Sequence, residues 1–181
     1  FKAAALGMNN RNTRNRATFG GNLGVNKSCG SFLPLLLVLD ADLETSEGKV
    51  PAVSWLGRPM GLVLEASMPL EPGRGIAYRR WARTSCDLAV LTAAVSLTLK
   101  GQTIAGLRIA MGGLGPRARR FPELEALFEG RSLPAKEAIE AAAAPLFSPI
   151  DDLRASAAFK RLRAAALLAD AIHDACKEAS K

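Results

Sequence analysis

Two prolines and two glycines crowd into the seven residues Pro69-Leu70-Glu71-Pro72-Gly73-Arg74-Gly75, and no regular helix or strand runs through such a cluster. Proline lacks the amide hydrogen that both elements use, and glycine pays the largest entropy to be held in either. The cluster divides the chain into residues 1–72 and 73–181. A chain of 181 residues is long enough for one good core or two small ones, and 49% hydrophobic with 23% charged residues is the balance of a folded protein.

Ahead of the divide, Ser31 to Leu39 is apolar on nearly every side and reads as a buried helix. Leu62 to Met68 reads as a strand ended by Pro69, and Thr45-Ser46-Glu47-Gly48-Lys49 as a polar turn between two short strands. Beyond the divide, Gly75 to Trp81, Ala89 to Leu99 and Gly101 to Met111 read as three strands of a meander, the last two joined at Lys100-Gly101-Gln102. The periodicity then becomes helical over Glu123 to Glu129, Pro134 to Ala144 and Ser156 to Lys177. The fold class is α+β, with a three-stranded antiparallel sheet packed on helices in the second region.

Composition narrows the function. The longest apolar run, Phe32 to Leu39, is far short of the roughly 20 residues that span a bilayer, so no membrane segment is expected. No signal-peptide pattern opens the chain, and a cytoplasmic protein is expected. The chain starts at Phe1 rather than Met, which suggests a fragment or a processed chain. Cys29, Cys86 and Cys176 are odd in number and far apart, so they build neither a disulfide framework nor a four-thiolate cluster. His173 is the single histidine and reads as a helix-surface or packing residue. A net charge of +7 fits nucleic-acid binding in general, but one tyrosine and two tryptophans leave no aromatic-studded basic face, and no nucleic-acid partner is expected.

The stretch with the most chemistry is Arg14-Asn15-Arg16-Ala17-Thr18-Phe19-Gly20-Gly21-Asn22. Paired glycines allow positive φ and a close approach of backbone amides to an anion, and Thr18 and Asn22 add side-chain hydrogen bonds. Five basic residues (Lys2, Arg11, Arg14, Arg16, Lys27) precede Pro34, and no acid precedes Asp40, so the local field favours an anion such as a pyrophosphate. The same glycine pair also suits an ordinary turn. The spacing is neither that of a Rossmann fingerprint nor that of a P-loop.

Three blocks carry a family resemblance. Arg14 to Leu23 followed by Leu33-Pro34-Leu35-Leu36-Leu37-Val38-Leu39-Asp40-Ala41, then Arg83-x-x-x-Asp87-Leu88-Ala89-Val90, then Glu125 to Gly130 with Asp152 to Lys160, resemble the FAD-binding medium subunit of molybdenum hydroxylases. That family includes the flavin domain of xanthine dehydrogenase and the medium subunit of carbon monoxide dehydrogenase. The resemblance implies that residues 1–72 are the second lobe of an FAD-binding domain, lacking the family's N-terminal lobe, and that residues 73–181 are its C-terminal domain. It implies FAD as cofactor, and molybdopterin and 2Fe-2S clusters on partner subunits. It also implies an oxidoreductase subunit that relays electrons between those clusters and an acceptor such as NAD+. The alternative is a flavin-free docking module that holds hydroxylase subunits together.

By the same resemblance, Thr18, Phe19, Gly20, Gly21 and Asn22 contact FAD at its diphosphate and ribityl portion, with no catalytic acid–base pair required. Relatives carry Ser-Pro-x-x-Asp where this chain reads Lys27-Ser28-Cys29-Gly30-Ser31, so Ser31 stands at the usual aspartate position and brings no charge. Val63 stands where relatives place an apolar residue near the isoalloxazine, and is more simply explained as a core residue. Arg79 stands where relatives place a lysine reaching the flavin ring, and equally suits a surface ion pair. The tract Arg117-Ala118-Arg119-Arg120 reads first as a solvated loop, and otherwise as a contact for an acidic partner or for the phosphates of a dinucleotide substrate.

Overall fold

The computed structural model describes all 181 residues. Three short helices, α1 (Lys2–Leu6), α2 (Arg11–Arg16) and α3 (Phe19–Val25), lead into the buried helix α4 (Leu33–Val38). Strands β1 (Asp42–Thr45) and β2 (Gly48–Pro51) form the expected hairpin, helix α5 (Ala52–Gly57) follows, and β3 (Val63–Ser67) closes an antiparallel sheet of order β2-β1-β3. The Pro/Gly cluster forms no regular element before β4 (Gly75–Trp81). Strands β5 (Leu91–Lys100) and β6 (Thr103–Gly112) complete the meander. The sheet holds one strand more than the sequence indicates, because Arg119–Arg120 pairs with β6 as a short β7. Helices α6 (Pro122–Phe128), α7 (Lys136–Ala143) and the long α8 (Ala157–Ala179) finish the chain. No helix is long and apolar enough to cross a membrane.

The second sheet is covered on both faces, and side-chain size decides which helix covers which. Along β5, Leu91, Ala93, Val95 and Leu97 point into a core shared with Leu168, Ile172 and Ala175 of α8. The alternate positions are small or polar, and Ala94, with Ala110 of β6, packs in a second core with α4. Small residues let α4 lie close to the strands, and Ser96 donates its hydroxyl to Val38 O at 2.9 Å, satisfying a carbonyl at the end of α4. On the other face, α8 lies so near β4 that a Cβ on Gly75 would stand 1.9 Å from Ala175 O. His173 contacts Pro134 O through Nε2 at 3.0 Å, the packing role expected of it.

The arginine tract serves as a clamp between the two regions. Asp40, in the left-handed region at φ 46°, receives Arg108 at 2.8 Å and Arg120 at 3.1 Å, and Arg120 also pairs with Glu125 at 2.8 Å. Arg119 lies over the Phe121 ring at 3.9 Å. The sequence reads this tract as a solvated loop because its acidic partners stand up to 80 residues away.

Candidate functional site

The Thr18–Asn22 stretch is the start of a helix. Thr18 has extended backbone angles, its hydroxyl accepts the Gly21 N–H at 3.0 Å, and its carbonyl accepts the Asn22 N–H at 3.1 Å. That is an N-cap, the position threonine favours because its oxygen satisfies one of the orphan amides of the first turn. Gly20 and Gly21 are therefore helical, and neither is among the glycines with positive φ, which corrects the expectation of a left-handed loop. A Cβ on Gly20 would meet nothing within 4 Å, so this glycine leaves the first turn bare, beside amides that have no partner four residues back. Gly21 is exposed, and a Cβ there would stand 2.9 Å from the Thr18 hydroxyl that caps the helix.

Three hollows adjoin around this turn and form one groove. A hollow of about 320 Å³ is lined by Phe1, Phe19, Gly20, Val63 and Leu64. The next, of about 300 Å³, shares Phe19 with it and adds Met8, Arg14, Thr18 and Phe32. The third, of about 250 Å³, shares Met8 and is bordered by Asn22, Lys27, Ser31, Arg80 and Asp87. The rings of Phe1, Phe19 and Phe32 cluster with centroids 5.0 to 6.2 Å apart, giving the groove an aromatic wall. Phe32 N–H donates to Asn22 Oδ1 at 3.4 Å, which ties the helix start to the buried Ser28–Ser31 segment. Of the residues singled out by sequence, Thr18, Phe19, Gly20, Asn22, Ser31 and Val63 line this groove; Gly21 does not, and its amide holds the Thr18 cap.

Arg79 does not line it. Alternation along β4 sends Arg79 toward α8, where it forms a surface ion pair with Asp174 at 2.6 Å, the other role its sequence position allowed. Donating to the Asp174 carboxylate raises the already high guanidinium pKa. Its neighbour Arg80 points to the opposite face, donates to Asp87 O at 2.6 Å, and runs its stem past Gly7, where a Cβ would lie 2.8 Å from Arg80 Cδ. Tyr78 shares that face. Burial pushes its phenol up to about 12, against the opposing influence of Ser31 and Arg80, and its buried hydroxyl makes no hydrogen bond. Sequence reasoning missed Met8 and Arg80, which line the groove. Strand alternation separates Arg80 from Arg79, but only knowledge of which face meets the first region would have selected it.

The groove lies at the seam between two α+β regions and combines a capped glycine turn, an aromatic wall and cations at its rim, the features of a site for an anionic ligand with an aromatic part. Residues 76–175 match the model of the CO dehydrogenase flavoprotein C-terminal domain, and the chain belongs to that family. It is 34% identical over 180 residues to the uncharacterized protein YgfM of Escherichia coli, covering 98% of this chain and 65% of that one. It is 30% identical to the carbon monoxide dehydrogenase medium chain of Hydrogenophaga pseudoflava, covering 90% of this chain and 61% of that one. The solved carbon monoxide dehydrogenase from H. pseudoflava superposes with a TM-score of 0.80 at 30% identity, over 96% of this chain and 65% of that one. Quinoline 2-oxidoreductase from Pseudomonas putida shares the fold, with a TM-score of 0.86 at 21% identity over 99% of this chain and 67% of that one. The chain spans less than two thirds of the length of these curated relatives.

Proposed function

We propose that the chain is the larger part of the FAD-binding medium subunit of a molybdenum hydroxylase, with residues 1–72 forming one lobe of the flavin site and residues 73–181 the C-terminal domain. In this reading the subunit passes electrons between iron–sulfur clusters on one partner and an acceptor such as NAD+, while a molybdopterin-bearing partner oxidises the substrate. The observation that carries it is the groove itself, which gathers six sequence-selected residues around one capped helix start.

The residues present fit a flavin dinucleotide in polarity and charge. The first-turn amides at Phe19 and Gly20 suit phosphate or ribityl oxygens, and Lys27 and Arg80 supply positive charge near Ser31, where the family's carboxylate is missing. Val63, Leu64 and the phenylalanine rings offer an apolar surface to an aromatic ring system. FAD, when bound, supplies the redox chemistry; this chain positions it, keeps water from its apolar face and sets the charge around it.

Expression of the full-length protein, followed by denaturation and chromatography of the released chromophore, tests the reading. Stoichiometric FAD supports it. A well-folded protein that binds no added FAD overturns it in favour of the docking module.

A further inference from the structure

The floor of the third hollow belongs to no helix or strand. It is the segment Lys27–Ser31, closed into a turn by the Gly30 N–H, which donates to Lys27 O at 2.8 Å. Residues 28–31 are buried, and Lys27, Cys29, Gly30 and Ser31 all border the hollow. A segment with so few backbone hydrogen bonds takes its position from what it rests on.

It rests on the sheet of the second region. Thr92 of β5 and Gly112 of β6 are register partners, two residues from the paired Ala94 and Ala110 that meet α4 on the same face. A Cβ built on Gly112 would stand 2.1 Å from Ser28 O and 2.5 Å from Thr92 Oγ1. Both distances lie far inside van der Waals contact, so the Ser28 carbonyl fills the space that a side chain at 112 would take. Backbone conformation gives no other reason for glycine here, because Gly112 is not among the residues with positive φ, whereas its neighbour Gly113 is. Glycine costs a strand stability relative to alanine, and the close approach of Ser28 is what it permits in return. Thr92 is fully buried and its hydroxyl has no hydrogen-bond partner, so it contributes to this contact by volume.

We infer that Gly112 is a positioning residue for the groove: by having no side chain it lets Lys27–Ser31 rest on the end of β6, and so fixes where Lys27 and Ser31 stand toward a bound ligand. The identity of that ligand as FAD rests on the proposed function. With alanine at 112, Ser28 O must retreat on the order of 1 Å to reach ordinary contact. That exceeds the roughly 0.5 Å within which the groups of a binding site are held.

The test compares the full-length protein with two glycine variants, by N-ethylmaleimide labelling of the flavin-free form, located by peptide mass spectrometry, and by titration with FAD. Cys29 lies in the supported segment and Cys176 in α8, and the two are similarly buried, at 6% and 5% exposed. Gly112→Ala should raise the labelling rate of Cys29 about tenfold and leave Cys176 unchanged, because the displacement is local. Gly75→Ala is the crossed control: its Cβ would strike Ala175 O at 1.9 Å, next to Cys176, so it should raise Cys176 labelling and leave Cys29 unchanged. FAD affinity should fall about tenfold in Gly112→Ala, the worth of one or two hydrogen bonds, and keep the parent value in Gly75→Ala. Adding Thr92→Ala to Gly112→Ala removes one of the two contacts without loss of a hydrogen bond. The double variant should regain melting temperature but neither slow Cys29 labelling nor affinity, since Ser28 O is still displaced, and it serves as the test protein if Gly112→Ala does not fold. Unchanged Cys29 labelling, a rise at both cysteines together, or parental FAD affinity beside fast Cys29 labelling each overturns the inference. A parent that binds no FAD while the crossed labelling pattern holds keeps Gly112 as the support of the segment and sinks only the flavin reading.

Discussion

Replacing Asp152 by Ala leaves a cation stranded in the interior. Lys160 has no exposed surface, and its Nζ has two partners, Asp152 Oδ2 at 2.8 Å and Ile150 O at 2.9 Å. Asp152 also accepts from Arg154 Nη2 at 2.7 Å and from the amides of Arg154 and Ala155 at 2.9 and 3.1 Å. Removing one side of a buried pair costs about 3–5 kcal/mol, because the remaining charge is neither solvated nor compensated. The Asp152 side chain keeps 22% of its exposure, which lets water soften the penalty and sets the expectation at about 3 kcal/mol. Adding Lys160→Met removes the stranded ammonium while keeping the stem volume, and should recover half of that loss or more. Urea denaturation of the parent, both single variants and the double variant measures the coupling directly. A loss under about 1 kcal/mol for Asp152→Ala, or a double variant no more stable than it, refutes the reasoning. The pH dependence has a definite sign. Burial alone raises the Asp152 carboxyl, but hydrogen bonds from Lys160 and Arg154 outweigh it and hold the group well below the usual carboxylate range. Its contribution is therefore present above the unfolded value of ~3.9 and disappears as pH falls toward the folded pKa, so the parent and Asp152→Asn should converge in acid.

Three further outcomes are expected. Thr18→Ala should cost about 1 kcal/mol through loss of the cap and reduce FAD retention more than its effect on the urea midpoint explains, measured as the flavin-to-protein ratio. In a flavin-loaded enzyme, Arg80→Ala should shift the flavin midpoint potential while Arg79→Ala leaves it within error; a redox titration giving the reverse order would restore Arg79 to the flavin site. Gly113→Ala should destabilise by about 2 kcal/mol or more, because φ is 89° and a Cβ would stand 2.0 Å from Val90 O; an unchanged melting temperature would contradict it.

The elements of this chain were readable wherever one side-chain period dominated. The alternation from Leu91 to Lys100, the apolar run at Leu33–Val38 and the helical spacing after Ala157 each state their own geometry, because burial on one face demands a fixed repeat. The residues that meet at the groove were also largely legible, through a motif that places hydroxyl, glycines and amide together. The conformation of that motif was not: Gly20-Gly21 permits a left-handed loop, and only the Thr18 hydroxyl bonded to the Gly21 amide made it a helix start. Which face of β4 meets the first region was undetermined too, since a period of two separates Arg79 from Arg80 without saying which side is covered. Packing of α8 on one face and α4 on the other decided it, sending Arg79 to Asp174, 95 residues away, and Arg80 into the groove. The buried Lys160 and the clamp at Asp40 belong to the same class. Local sequence dictates period, cap and turn because those interactions span a few residues, whereas the partner of a charge is chosen by whatever the tertiary fold brings beside it.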